Sequence, residues 1–342
     1  MKTVVGISLG AGDQDFEFRA RFLGHRFRIL RVGTNGSTTQ ALKLLKHWEH
    51  HADAIGLGVV KDSYAVGARR YVERDSARLK AAVTRVAVTT GGRLSDILQE
   101  WALRHVQIKL GDYFNNARVL FFSGMTNYKL ALAMAEYTQN LEFADPVLQL
   151  GVPKLVTSLD ALELYTSGAH YVLDYLPSNL MATTPIKAWT KFVLRQAMRD
   201  ATVIVAPVHE LDGFGADVLR GKTLITSTVN DRRIAQFRKK GVHMVVDGAP
   251  ALFDHVLSPS LLDAMIVAAR EKDPDDILED DYLEIITSLA LEPRVVYPNG
   301  FKRVNRFASS STRWRRSISR TSSRSSCSRR SRRQCSWTRW KR

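Results

Sequence analysis

The chain has 342 residues and a formal net charge of +16, yet residues 309–342 hold 12 of its 50 basic residues and none of its 34 acidic ones. Residues 1–308 therefore carry 38 basic and 34 acidic groups, a net of +4, so the basic character belongs to the tail. Both cysteines, Cys327 and Cys335, also lie there, which excludes a disulfide framework, a thiolate nucleophile and a cysteine metal site from residues 1–308. The apolar run at the N-terminus is too short for a signal peptide, and no stretch of about 18 apolar residues occurs, so the expectation is a cytoplasmic protein without a membrane span.

Along residues 1–308, short apolar β-branched runs alternate with Gly/Ser/Thr/Asn turns and amphipathic helices, the rhythm of a parallel sheet covered by helices. Strands are expected at 2–8, 27–32, 54–60, 85–89, 118–122, 154–156, 171–173, 202–206, 223–226 and 243–246. Helices are expected at 37–50, 94–106, 127–138, 231–240 and 260–272. Ser37, Ser95 and Asn127 stand where helix N-caps are wanted, and Gly241 stands where a helix should end. The polar stretch between Pro177 and Pro185 reads as a junction. The fold expected is α/β, with Rossmann-like doubly wound parallel sheets in two units, residues 1–176 and 190–308, followed by a disordered Arg/Ser tail.

In open parallel sheets, ligands sit at the carboxyl ends of strands. Gly33 and Ser37 follow the second expected strand, and Ser123, Gly124 and Asn127 follow the fifth. Turns of this composition admit backbone N–H groups close to a phosphate, and a helix N-terminus favours its charge; tight strand-to-helix turns use the same residues for conformation alone. Neither a GxGxxG fingerprint nor a Walker A motif is present. Lys61, Asp62 and Tyr64 follow the strand at 54–60, and His209 and Glu210 follow the one at 202–206. Each of the two groups could supply a proton donor at a strand end, or be a plain polar loop. Gly6-Ile7-Ser8-Leu9-Gly10 fits the GxSxG pattern but occupies the first strand with no helix after it, against a nucleophile elbow. His47 and His51 share a helix face without an identifiable third metal ligand, so no metal is expected.

The tail contains 12 serines beside its 12 basic residues and three of the six tryptophans. Such a segment cannot bury enough apolar surface to fold alone. One reading is a basic arm for nucleic acid. The other is an out-of-frame product, because synonymous codons allow a second frame that opens FVIHPLAQEYF and has ordinary globular composition.

Residues 200–250 combine a strand, a polar turn, a helix and a further strand ending Val246-Asp247. This is similar to the later strands of Rossmann dehydrogenases, where Ser227, Thr228, Asn230 and Asp247 match by position. Residues 301–308, running into the second-frame FVIHPL, resemble a bacterial group of predicted amino-acid dehydrogenases related to the long-chain acyl-[acyl-carrier-protein] reductases. The resemblance implies an NAD- or NADP-dependent oxidoreductase of which this chain holds the N-terminal part, truncated before a catalytic cysteine and glycine-rich site. The leading expectation is thus a dehydrogenase-related protein binding a nicotinamide nucleotide. The alternatives are a non-enzymatic module for a small-molecule or nucleotide ligand and nucleic-acid binding through the tail.

Overall fold

The computed structural model describes residues 1–58, 61–173, 184–253 and 255–300. Within residues 1–300, which form one compact unit, two open sheets share a long helix. The first sheet takes β1 (Lys2–Ser8), β2 (Phe16–Phe22), β3 (His25–Gly33), β4 (Ala54–Gly58) and β7 (Ala87–Thr89) in the order β2-β3-β1-β4-β7. All its pairings are parallel except the β2–β3 hairpin. That hairpin turns on Leu23 and Gly24, both at positive φ, as a two-residue turn matched to strand twist requires. A small antiparallel hairpin, β5 (Ser63–Val66) and β6 (Arg69–Val72), follows β4.

The second sheet takes β8 (Val119–Phe121), β9 (Leu141–Phe143), β10 (Val203–Val205), β11 (Thr223–Thr226), β12 (Met244–Asp247) and β15 (Arg294–Val296) in the order β15-β12-β11-β10-β8-β9. Only β15 runs antiparallel. In both sheets the earliest strand of the parallel set, β1 or β8, has its successors on opposite sides, which makes it a topological switch point. A two-residue pair, β13 (Ala251–Leu252) and β14 (His255–Val256), stands apart.

Helices cover both faces of each sheet, so the fold is doubly wound. On the first sheet, α1 (Thr38–Trp48) and α2 (Arg74–Ala81) bury Ala41, Leu45 and Leu79 on one face. The opposite face is covered by α10 (Pro259–Arg270), α11 (Glu279–Ser288) and the first half of α3 (Gly92–Leu110). The second half of α3 packs with α4 (Tyr128–Ala135) and α6 (Leu159–Leu173) on the second sheet. Its other face carries α5 (Asp145–Leu150), α7 (Thr184–Asp200), α8 (Ala216–Leu219) and α9 (Asp231–Lys239). Helix α3 is the shared spine. Leu94, Ile97 and Leu98 enter the first core and Ala102, Leu103 and Val106 the second.

Helix α10 is unusual in burying every residue from Ser260 to Ala268, as a helix apolar all round must. Ser258 caps it by accepting from Leu261 N, with Pro259 at the first helical position. Its first turn lies on glycines. A Cβ on Gly56 would overlap the Ser260 carbonyl, and one on Gly91, which has φ +67°, would stand 2.5 Å from Ser260 N.

Several expectations change. The division between the sheets falls between Thr89 and Val119 rather than near residues 177–190, because α10 returns from late in the chain to the first sheet. Residues 171–173, expected as a strand, are the last turn of α6, whose start is fixed by Ser158 Oγ accepting from Ala161 N at 3.1 Å. Around Val156 only an isolated bridge to Phe143 forms. Ser95 lies inside α3, which starts from Gly91 instead. Ser37 does cap α1, and Gly241 follows α9 at φ +73°. Residues 59–60, part of the expected strand at 54–60, and the whole tail lie outside the described residues. Among the described residues, no helix is long and apolar enough to cross a membrane.

Candidate functional site

The carboxyl edge of the second sheet gathers most of the polar side chains singled out above. The turn after β8 is shaped from beneath by Asp145, the first residue of α5. Its carboxylate accepts from Gly124 N at 2.7 Å, Met125 N at 3.1 Å and the Ser123 hydroxyl at 3.3 Å. Burial pushes Asp145 up to about 6, against the pull of those hydrogen bonds. Asn127 does not cap α4 with its side chain; its amide donates to Ser123 O at 2.8 Å, and Thr126 Oγ1 donates to Ser123 Oγ at 2.9 Å. Gly124 is glycine for packing, since a Cβ there would overlap the Phe143 ring and stand 2.8 Å from Leu162.

Lys61 reaches this turn from the loop after β4. Its ammonium donates to Thr126 O at 2.5 Å and to Asp96 of α3 at 2.9 Å. Tyr64 stacks on Tyr71 with centroids 5.5 Å apart. Tyr165 is raised by burial and then by the charges of Asp145 and Tyr64, which places all three together. Glu210, after β10, is raised by burial and then by Asp145. Its Oε2 is buried without a hydrogen-bond partner.

The turn after β11 repeats the device one strand pair along. Asp247, at the end of β12, accepts from Thr228 N and Val229 N at 2.8 Å each and from Ala249 N at 2.9 Å. Burial pushes it, too, up to about 6. Thr228 sits at φ +61°, and Ser227 beside it is half-buried. Asn230 caps α9 by accepting from Arg233 N at 2.9 Å. Thr226 Oγ1 is buried without a partner. His209 lies between the two turns, half-buried and lowered by burial, with Asp212 and Arg233 close enough to act on it.

Lys61, Tyr64, Ser123, Gly124 and Asn127 thus meet at the mouth of β8, and Ser227, Thr228, Asn230 and Asp247 at that of β11. Asp62 turns to Lys80 at 3.0 Å. Gly33 and Ser37 belong to the first sheet and serve its own chain. Gly33 N donates to Asp15 Oδ1 at 2.7 Å, and a Cβ on Gly33 would be 2.5 Å from Ala11 O. Ser8 is likewise used locally, its hydroxyl accepting from Gly10 N at 3.0 Å. Sequence reasoning missed Asp145, Tyr165 and Thr226. The signal for Asp145 was present, because Phe143-Ala144-Asp145 and Val245-Val246-Asp247 both end a strand in aspartate beside a pre-existing turn.

A nicotinamide dinucleotide held by its pyrophosphate on the Ser123 turn does not fit. The Gly124 and Met125 N–H groups that would receive it already bind Asp145, and the Thr228 and Val229 N–H groups bind Asp247. Among the described residues, no group of three or more His, Cys, Asp or Glu is placed to hold a metal ion.

The chain resembles solved structures only distantly. A sugar ABC transport substrate-binding protein from Bordetella parapertussis is 12% identical over 79% of this chain and 80% of that one, with a TM-score of 0.33. An NAD-dependent malic enzyme from Thermotoga maritima is 9% identical over 84% of each chain, TM-score 0.33. GanP, a glucose-galactose binding protein from Geobacillus stearothermophilus, is 9% identical over 87% of this chain and 97% of that one, TM-score 0.35. No curated protein matches the sequence. Residues 3–90, which end with the first sheet, match a domain of unknown function, DUF8753. Residues 93–298, most of the chain, match a second domain of unknown function, DUF8754, and the chain belongs to that family.

Proposed function

We propose that this protein binds a nicotinamide nucleotide at the carboxyl edge of its second sheet and is related to dehydrogenases and reductases. The observation that supports the reading is the pair of buried polar atoms without partners, Glu210 Oε2 and Thr226 Oγ1, which follow or end the adjacent strands β10 and β11. A buried orphan costs about 1–3 kcal/mol, so it marks a place where a ligand group is welcome. A carboxyl held partly protonated and a hydroxyl would together recognise a carboxamide and a ribose hydroxyl.

Titration of the full chain with NADH and NADPH tests this. Saturable binding should raise Tm and change nicotinamide fluorescence. The absence of any thermal shift at millimolar cofactor would sink the reading.

A second reading is a module that binds such a ligand without chemistry. It is favoured by the ion pairs Lys61–Asp96 and Asp62–Lys80, which commit the side chains nominated as acid and base. Cofactor binding with no hydride exchange to any 2-oxo or 2-amino acid would select it.

A further inference from the structure

Beside the turn that carries His209, a cleft of about 430 Å³ opens, within the size range of small-ligand sites. Gln14, from the loop after β1, lines it on one side; Asp212, Arg232, Arg233, Gln236 and Lys240 line it on the other. The last four lie on or just past α9 at spacings of three, four and seven or eight residues, which puts them on one helix face.

Their charges converge. Arg233 donates to Asp212 and to Gln236 Oε1, and Lys240 donates to Leu211 O at 3.2 Å. Lys240 is lowered by burial and then feels both Asp212 and Arg233. Three cations stand against one carboxylate, leaving an excess of two positive charges in a partly enclosed space. The cleft also opens at the N-terminal end of α9, whose dipole adds in the same direction.

We propose that this cleft binds a phosphate group, as a pyrophosphate or phosphomonoester. The charge excess matches a dianion, and arginine suits its oxygens. The inference rests on the nucleotide reading only for the ligand's identity. It gives the cofactor's phosphates a place that the occupied Ser123 and Thr228 turns deny them.

The test is thermal shift and calorimetry on the full chain with inorganic pyrophosphate, AMP and NADPH, against sodium chloride at matched ionic strength. Pyrophosphate should raise Tm saturably, by about 3–5 °C. Arg232→Gln with Lys240→Gln should weaken it at least tenfold. Gln236→Glu, which adds opposing charge without removing a contact of the fold, should do the same if the double variant does not fold. Tighter binding of AMP than of pyrophosphate identifies a nucleotide source; the reverse identifies a free anion, and either supports the site. Absence of saturable binding to the unaltered protein overturns the proposal, as does equal binding to Gln236→Glu. If NADPH binds the variants unchanged, the phosphate site falls and the nucleotide reading stands. If pyrophosphate binds and neither NADH nor NADPH does, the reverse holds.

Discussion

In the first sheet the carboxyl end of the switch strand is closed by the protein's own backbone, whereas in the second the corresponding end is held open by buried aspartates. Gly56 and Gly91 admit the first turn of α10, and Ser260 Oγ comes within 3.4 Å of where a Gly58 Cβ would stand. The crevice that a ligand would enter is therefore filled by residues 259–261. At the second sheet, Asp145 and Asp247 pin the turns after β8 and β11 from below, and Glu210 and Thr226 keep buried polar atoms unpaired. Two layers of the same strand order have diverged into a structural half and a half with room for chemistry. The difference lies in what meets the strand ends, not in the sheets themselves.

The largest effect that would break this contrast is at Gly56. Gly56→Ala drives a Cβ into the Ser260 carbonyl, and backbone cannot swing aside as a side chain can. A loss of about 3 kcal/mol is expected, at the upper end of overpacking costs, read from urea unfolding of the full chain. Gly124→Ala meets the Phe143 and Leu162 side chains instead, which can turn, so about 1–2 kcal/mol is expected. Equal losses at the two positions would mean that α10 does not close the first sheet as described. Between them in size comes Asp247→Ala, which strips three backbone N–H groups of their acceptor. About 2–3 kcal/mol should be lost, since unpaired buried donors are costly.

Much of the sheet architecture was legible locally. The strands at 2–8, 202–206 and 223–226 are β-branched runs bounded by turn residues, and both kinds of signal act within a few positions. Strand β2 was legible too but passed over: Phe16-Glu17-Phe18-Arg19-Ala20-Arg21-Phe22 alternates strictly before the Leu23-Gly24 turn. Other features had no local signal. Nothing within residues 259–270 says that this helix packs on strands some 170–250 residues earlier, and that return is what moved the boundary between the sheets. The site shows the same split. The turn glycines, Ser123 and Thr228 announce themselves by composition, whereas the tie from Asp145 to Gly124 spans 21 positions and appears only when β8 and β9 pair.

The two pinning aspartates also give the second sheet a pH signature absent from the closed edge of the first. Both are raised from 3.8 to about 6, chiefly by burial. The native state therefore holds their protons more tightly than the unfolded chain. Stability from these groups is complete below pH 3.8 and falls as pH rises to about 6, beyond which it is level. The difference in urea midpoint between the unaltered protein and Asp145→Asn should change across that window and be flat above it. A difference constant from pH 4 to 7 would mean that burial does not hold the proton.

Lys61 carries the smallest stability effect and the sharpest consequence for the comparison, because it is anchored beside the first sheet and grips the switch turn of the second. Its partly buried ion pair with Asp96 is worth about 1 kcal/mol or less, so Lys61→Met should unfold at nearly the same urea concentration. Its second bond, to Thr126 O, is different in kind, since it ties down the one part of the turn that Asp145 does not reach. Amide exchange at Asn127 and Tyr128 should then quicken in Lys61→Met, while Gly124 and Met125, still bound by Asp145, keep their protection. Uniform loss of protection across residues 123–128 would show that the lysine, and not the aspartate, sets the shape of the turn. In that case the contrast between a sheet closed by its own backbone and one held open by buried carboxylates would rest on Asp247 alone.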